Sequence, residues 1–197
     1  INQDAQASAT SPYFNIKQLA SIYKFPAPDT TKSPIIGVVS FGGGLYGVPN
    51  NSAAAHIIPG GTRPTTDFYK YWTYLGYAPN QMPTVIVIPM DGAVTDLSDG
   101  SGTDENTLDI SIIGGCYPNP NLIIILYIFP NPYLFSKVFP FVLAGVNVNE
   151  TLYIPNVISI SWGLPEIYYL PQYTNELDAV NNQLKIATEN GINICAA

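Results

Sequence analysis

The sequence predicts an α/β fold in which parallel strands form one sheet and helices cover both of its faces. Three observations carry that reading. Short Ile- and Val-rich runs alternate with segments of helical spacing, mostly through short connections, which is the order of strand–helix–strand crossovers. The strand-like runs are apolar at nearly every position, as strands buried on both faces are, rather than at every second one. A chain of 197 residues that is 47% apolar and only 11% charged can fill one sizeable core.

The elements follow in order. Ile35–Phe41 (IIGVVSF) reads as the first core strand and runs into a turn at Gly42–Gly44. Residues 45–63, rich in Gly, Pro, Asn and Ser, read as a long surface loop. Pro64–Leu75 has helical spacing, Thr84–Met90 (TVIVIPM) reads as a strand, and Val94–Gly102 as a polar loop. Thr103 is expected to cap the next helix, with Asp104 and Glu105 in its first turn suiting the helix dipole. Leu108, Ile112 and Ile113 would form the apolar stripe of that helix, and Gly114–Gly115 would end it.

Leu122–Phe129 is the third strand. Even extended to Pro130, this run falls short of the ~20 residues of a membrane-spanning helix. Residues 132–147 are apolar and ambiguous, and Pro140 argues against an unbroken helix. Val157–Trp162 is a fourth strand. Thr174–Asn190 is the clearest helix, with Leu177, Val180, Leu184 and Ala187 on one face and Gly191 as its stop. Ile192–Ala197 begins a fifth strand. A sheet that ends on such a strand leaves an uncovered neighbour, so residues 1–197 read as the front portion of a single larger domain.

Charge and motif content exclude several classes. A net charge of −7 and a pI near 4.3 argue against nucleic acid or an anionic membrane as partner, since both need basic patches. So few lysines are compatible with an acidic working environment. No secretory leader is visible, and Ile1 is what a processed mature terminus would show. Cys116 and Cys195 read as two buried free thiols, with a disulfide between them left open. Asn50 (NNS) and Asn149 (NET) are acceptor triplets that favour secretion weakly. His56, the single histidine, has no Asp or Ser at a recognisable triad spacing, so a Ser-His-Asp hydrolase lacks support for its imidazole. No Cys/His zinc spacing occurs, and Gly42–Gly44 lacks the Lys-Ser/Thr of a phosphate loop.

One pair of residues stands out. Glu105 and Asp109, in TDENTLDISIIGG, are four apart, which on a helix puts both carboxylates on one face with Cβ atoms ~5–6 Å apart. The chain has only 14 carboxylates, and like charges at this spacing cost an isolated helix ~0.2–0.5 kcal/mol. The plain reading is a solvated face. The functional reading is a coupled acid pair, in which one member accepts a proton from a nucleophile in acid while the other orients it. Further along, ISISWGLPE (158–166) is a strand whose open end at Ser161–Gly163 could pair with an extended peptide.

Together these blocks resemble the sedolisins, the serine-carboxyl peptidases. ENTLDISI (105–112) is similar to their E-x-x-x-D motif, and VISISWGLPE (157–166) to their SISWG-x-PE strand. SPYFNIKQLASIYKFP (11–26) resembles the start of their mature catalytic domain, and IIGVVSFGGG (35–44) its first core strand. The resemblance implies a subtilisin-like α/β fold and peptide-bond hydrolysis in acid by a Ser-Glu-Asp triad, as an endopeptidase or tripeptidyl-peptidase. By it, Glu105 would be the general base, Asp109 would orient Glu105, Ser161 and Gly163 would bond the substrate backbone, and Trp162 would support the site.

The family's G-T-S nucleophile and G-D-S-G oxyanion aspartate have no counterpart in the 197 residues, and Ser40 stands where some relatives have a supporting acid. The resemblance therefore implies a partner chain or segment carrying the serine and the oxyanion aspartate, no activity from these residues alone, a calcium site outside them, and secretion or a lysosome- or vacuole-like compartment. A non-catalytic structural or peptide-binding protein that kept the fold is the alternative.

Overall fold

The computed structural model describes residues 13–131, 134–163 and 174–196. Its centre is a six-stranded sheet made of β1 (Ile35–Phe41), β2 (His56–Ile58), β3 (Thr84–Pro89), β4 (Ile123–Phe129), β7 (Val157–Ile160) and β8 (Asn193–Ala196). The strands lie in the order β2-β3-β4-β1-β7-β8. All pairings are parallel except β2–β3, which is antiparallel. The helices are α1 (Ile16–Ile22), α2 (Asp67–Tyr74), α3 (Gly100–Cys116), α4 (Phe135–Ala144) and α5 (Thr174–Glu189).

The predicted α/β class is what the chain adopts: a mostly parallel sheet with helices on both faces, as a subtilisin-like fold has. Successive residues of β1 serve opposite faces. Val39 and Phe41 join Ile125, Tyr127 and Phe129 in a core beneath Val138, Phe139 and Val142 of α4. Val38 joins Ile124, Leu126 and Ile128 in a second core beneath Phe68 and Trp72 of α2 and Ile110 of α3. Both faces are dry, which explains why the strands carry no polar alternation.

Several local expectations are corrected. The segment 45–63 is not all surface: Leu45 and Val48 are buried, and residues 56–58 form the antiparallel edge strand. That strand is too short to register as a periodic signal. Residues 132–133 lie outside the described residues, but α4 then runs straight through Pro140. The missing proline N–H leaves one helical bond unmade, and the buried Val138, Phe139 and Val142 hold the helix regardless. A hairpin also escaped the sequence reading: β5 (Val146–Val148) pairs with β6 (Thr151–Tyr153). Its two loop residues, Asn149 and Glu150, both have positive φ, the geometry of a tight two-residue turn. Neither cysteine is deeply buried: both are free, Cys116 half-buried and Cys195 exposed.

Candidate functional site

The site grows from α3, which is anchored by polar contacts as well as by the buried Ile110. Its N-cap is Asp99, whose side chain accepts from the Gly102 N–H. Thr103, expected as the cap, lies one turn inside and is buried. Its hydroxyl accepts from the Gly44 N–H at 2.9 Å and donates to the Asp96 carbonyl at 3.2 Å. Asn106, also buried, donates from Nδ2 to the Gly44 carbonyl at 2.9 Å. The helix is thus stitched to the turn that follows β1. That turn needs glycine: Gly43 has φ +74°, and a Cβ there would stand 2.5 Å from the Gly102 carbonyl carbon.

The expected stripe holds only in part, for Ile113 packs against the core and Leu108 does not. Leu108 is 54% exposed, and the buried face is made of Gly102, Thr103, Asn106, Thr107, Ile110, Ser111, Gly114 and Gly115. Nor do Gly114 and Gly115 end the helix, which continues to Cys116. Their lack of side chains lets other helices approach. A Cβ on Gly114 would fall 2.2 Å from Trp72, and one on Gly115 2.6 Å from Ile16. Trp72 closes the contact by donating its indole N–H to the Ser111 carbonyl at 2.9 Å.

With the small face turned inward, Glu105 and Asp109 come to its shoulder, and both are half-buried. Asp109 meets the end of β7: the Ser161 hydroxyl donates to its carboxylate, 3.0 and 3.1 Å from the two oxygens. Burial raises the Asp109 pKa above its ordinary value. The Ser161 hydrogen bond opposes that shift, and the neighbouring Glu105 charge adds to it.

Topology explains the meeting. β7 lies beside β1, with Ile160 opposite Val39. The residues just beyond their carboxyl ends, Ser161–Gly163 and Gly42–Gly44, therefore share the edge of a parallel sheet where crevices form. Trp162 is half-buried and meets Phe41 edge-on, ring centroids 5.9 Å apart. Its indole N–H is buried without a partner among the described residues. Gly163 is exposed. The stretch 164–166 of the second motif lies outside the described residues.

The remaining candidates fall elsewhere. Ser40 is fully buried and donates to the Gly42 carbonyl at 3.2 Å. His56 sits on the edge strand β2, 2.8 Å from the Ser52 hydroxyl, and burial lowers its pKa. Among the described residues there is no group of three or more His, Cys, Asp or Glu that could hold a metal ion. No described helix is long and apolar enough to cross a membrane.

Of the five candidates, the structure joins Asp109 and Ser161 through their side chains, a contact the sequence does not suggest. Nothing in the local pattern signals a contact 52 residues apart in sequence.

Two comparisons bear on this geometry. No family model matches the sequence. Kumamolisin from Bacillus sp. (strain MN-32) is 25% identical to it over 195 residues. The chain is thus distantly similar to kumamolisin. The alignment takes in 98% of this chain, and so both stretches that carry the carboxylates and the strand end, but the chain spans only about 30% of the length of that relative.

Proposed function

We propose that these residues form the acid–base and substrate-aligning half of an acid-active serine-carboxyl peptidase site. The observation that carries the reading is the contact between Asp109 and Ser161. It joins the helix bearing both carboxylates to the end of a parallel strand, at the edge of the sheet where an extended peptide could lie. The resemblance of both motifs to the sedolisins and the distant similarity to kumamolisin support it.

In this reading a serine hydroxyl supplied from outside the chain attacks the scissile carbonyl carbon. Its proton passes to the Glu105 carboxylate, which then delivers it to the leaving amine as the C–N bond breaks. Water repeats the sequence on the acyl-enzyme, with Glu105 again as base. Carboxyl groups as a class exchange protons readily in mild acid and are poor bases toward serine at neutrality.

Asp109, whose carboxyl is pushed above its ordinary range by burial, orients Glu105 from the next turn of α3. The backbone of Ser161 and Gly163 bonds the substrate, and Trp162 backs the site. A second chain or segment supplies the serine and an oxyanion-binding aspartate, calcium is held outside these residues, and the setting is secreted or a lysosome- or vacuole-like compartment.

The test is Glu105→Gln in the full-length protein. Casein cleavage near pH 4 is expected to fall by about 10²–10⁴-fold with the fold intact, because an amide cannot accept the proton. Retained turnover would remove Glu105 from the mechanism. A wild-type full-length protein that binds peptides and cleaves none would establish the non-catalytic alternative. The isolated 197-residue chain is expected to cleave nothing.

A further inference from the structure

We propose that the Ser161 hydroxyl is a positioning residue for the carboxylate pair: it holds the Asp109 carboxylate against the end of β7 and thereby fixes how Asp109 is presented to Glu105. For its catalytic consequence this rests on the peptidase reading above. For its structural half it rests only on the contact itself.

The geometry is specific. One hydroxyl lies 3.0 and 3.1 Å from the two oxygens of one carboxylate, so it restrains the carboxylate's rotation as well as its position. The partners belong to different elements, α3 and the residue after β7, and each is half-buried. A hydrogen bond to a charged group in such a setting is stronger than one at the surface. The Val157–Gly163 segment has no titratable side chain, nor does the Gly42–Gly44 turn. The charged group acting on Asp109 is Glu105, one turn earlier on α3.

Ser161 is thus the polar group opposing the burial and the Glu105 charge, both of which favour a protonated Asp109. A hydroxyl is suited to the task. It donates to the anion and can turn to accept from the acid, so contact survives protonation of the carboxyl. This role belongs to the Ser161 side chain and is separate from any bond its backbone makes to a peptide.

The experiment uses the full-length protein as wild type, Ser161→Ala and Ser161→Thr. The Asp109 side-chain carboxyl is titrated by carbon-13 NMR. The Asp109 midpoint is expected to rise in Ser161→Ala and to return toward wild type in Ser161→Thr, which restores a hydroxyl. An unmoved midpoint in Ser161→Ala overturns the proposal, whether or not the protein cleaves peptides.

Kinetics near pH 4 then read the consequence. Ser161→Ala should lose about tenfold in kcat with KM nearly unchanged, and its acid-side pH–rate limb should shift with the Asp109 midpoint. A raised KM at unchanged kcat would put Ser161 in substrate binding alone and defeat the positioning role. Absence of cleavage by the wild type would defeat the peptidase reading instead, and the titration would still decide the Ser161–Asp109 coupling.

Discussion

Helices α3 and α5 are of similar length, yet apolar and polar contacts share the work of seating them differently. On α5 the face expected from sequence is the one that packs: Ala187 is buried, Leu177 and Val180 are half-buried, and only Leu184, toward the rim, is more open. One polar addition is Glu176, buried in the first turn, whose carboxylate accepts from the backbone N–H of Ser136 at 2.9 Å and from its hydroxyl, and so caps α4. On α3 the large apolar Leu108 faces out, while glycine, threonine and asparagine face in around a single fully buried isoleucine, Ile110. Where two carboxylates must arrive at a sheet edge in a defined register, close small-residue contacts and directional hydrogen bonds do the seating.

The contrast breaks first at Gly114. In the full-length protein Gly114→Ala should destabilise by about 1–3 kcal/mol despite the better helix propensity of alanine, because its Cβ would fall 2.2 Å from Trp72. An unchanged urea midpoint would mean that α3 and α2 are not in such close contact.

A matched pair one turn apart sharpens the same point. Thr103→Val leaves the Gly44 N–H without its acceptor and should cost about 1–3 kcal/mol by denaturant titration. Thr107→Val should be neutral or stabilising, since the Thr107 hydroxyl is buried without a partner among the described residues. Equal losses from the two would show that α3 is seated by volume rather than by hydrogen bonds.

A subtler effect is expected in pH dependence. The Asp109 pKa is raised in the folded state above its ordinary 3.8. The folded form therefore binds more protons than the unfolded one over that window. Its contribution favours folding below about pH 3.8 and is lost as pH rises through the folded value. Asp109→Asn should flatten the stability–pH curve there and raise stability at neutrality. Parallel curves for the two proteins would mean that Asp109 is not buried enough to matter.

The smallest expected effect is at Leu108. Leu108→Ser should change stability by no more than about 0.5 kcal/mol, because the residue is exposed. Loss on the scale of a core leucine would restore the stripe that the sequence implies.

The strands and α5 were legible because burial on both faces, or on one helical face, writes a period into composition. Glu105 and Asp109 were legible as a pair because i, i+4 spacing is a local property. The seating of α3 was not. Thr103, Asn106 and Gly114 acquire their meaning from Gly44 and Trp72, which are distant in sequence, and small polar residues carry no periodic signal. The short strand β2 and the hairpin β5–β6 were missed for a related reason: three residues are too few to show a period.

By itself, then, the sequence determined the α/β class, the central strands, the amphipathic α5 and the identity of the two neighbouring acids, since each depends on residues close together along the chain. Which face of α3 turns inward, and that Asp109 finds the Ser161 hydroxyl, was decided only by tertiary structure. Both follow from setting β7 beside β1 and stitching α3 to the turn after β1, contacts that local propensity does not encode.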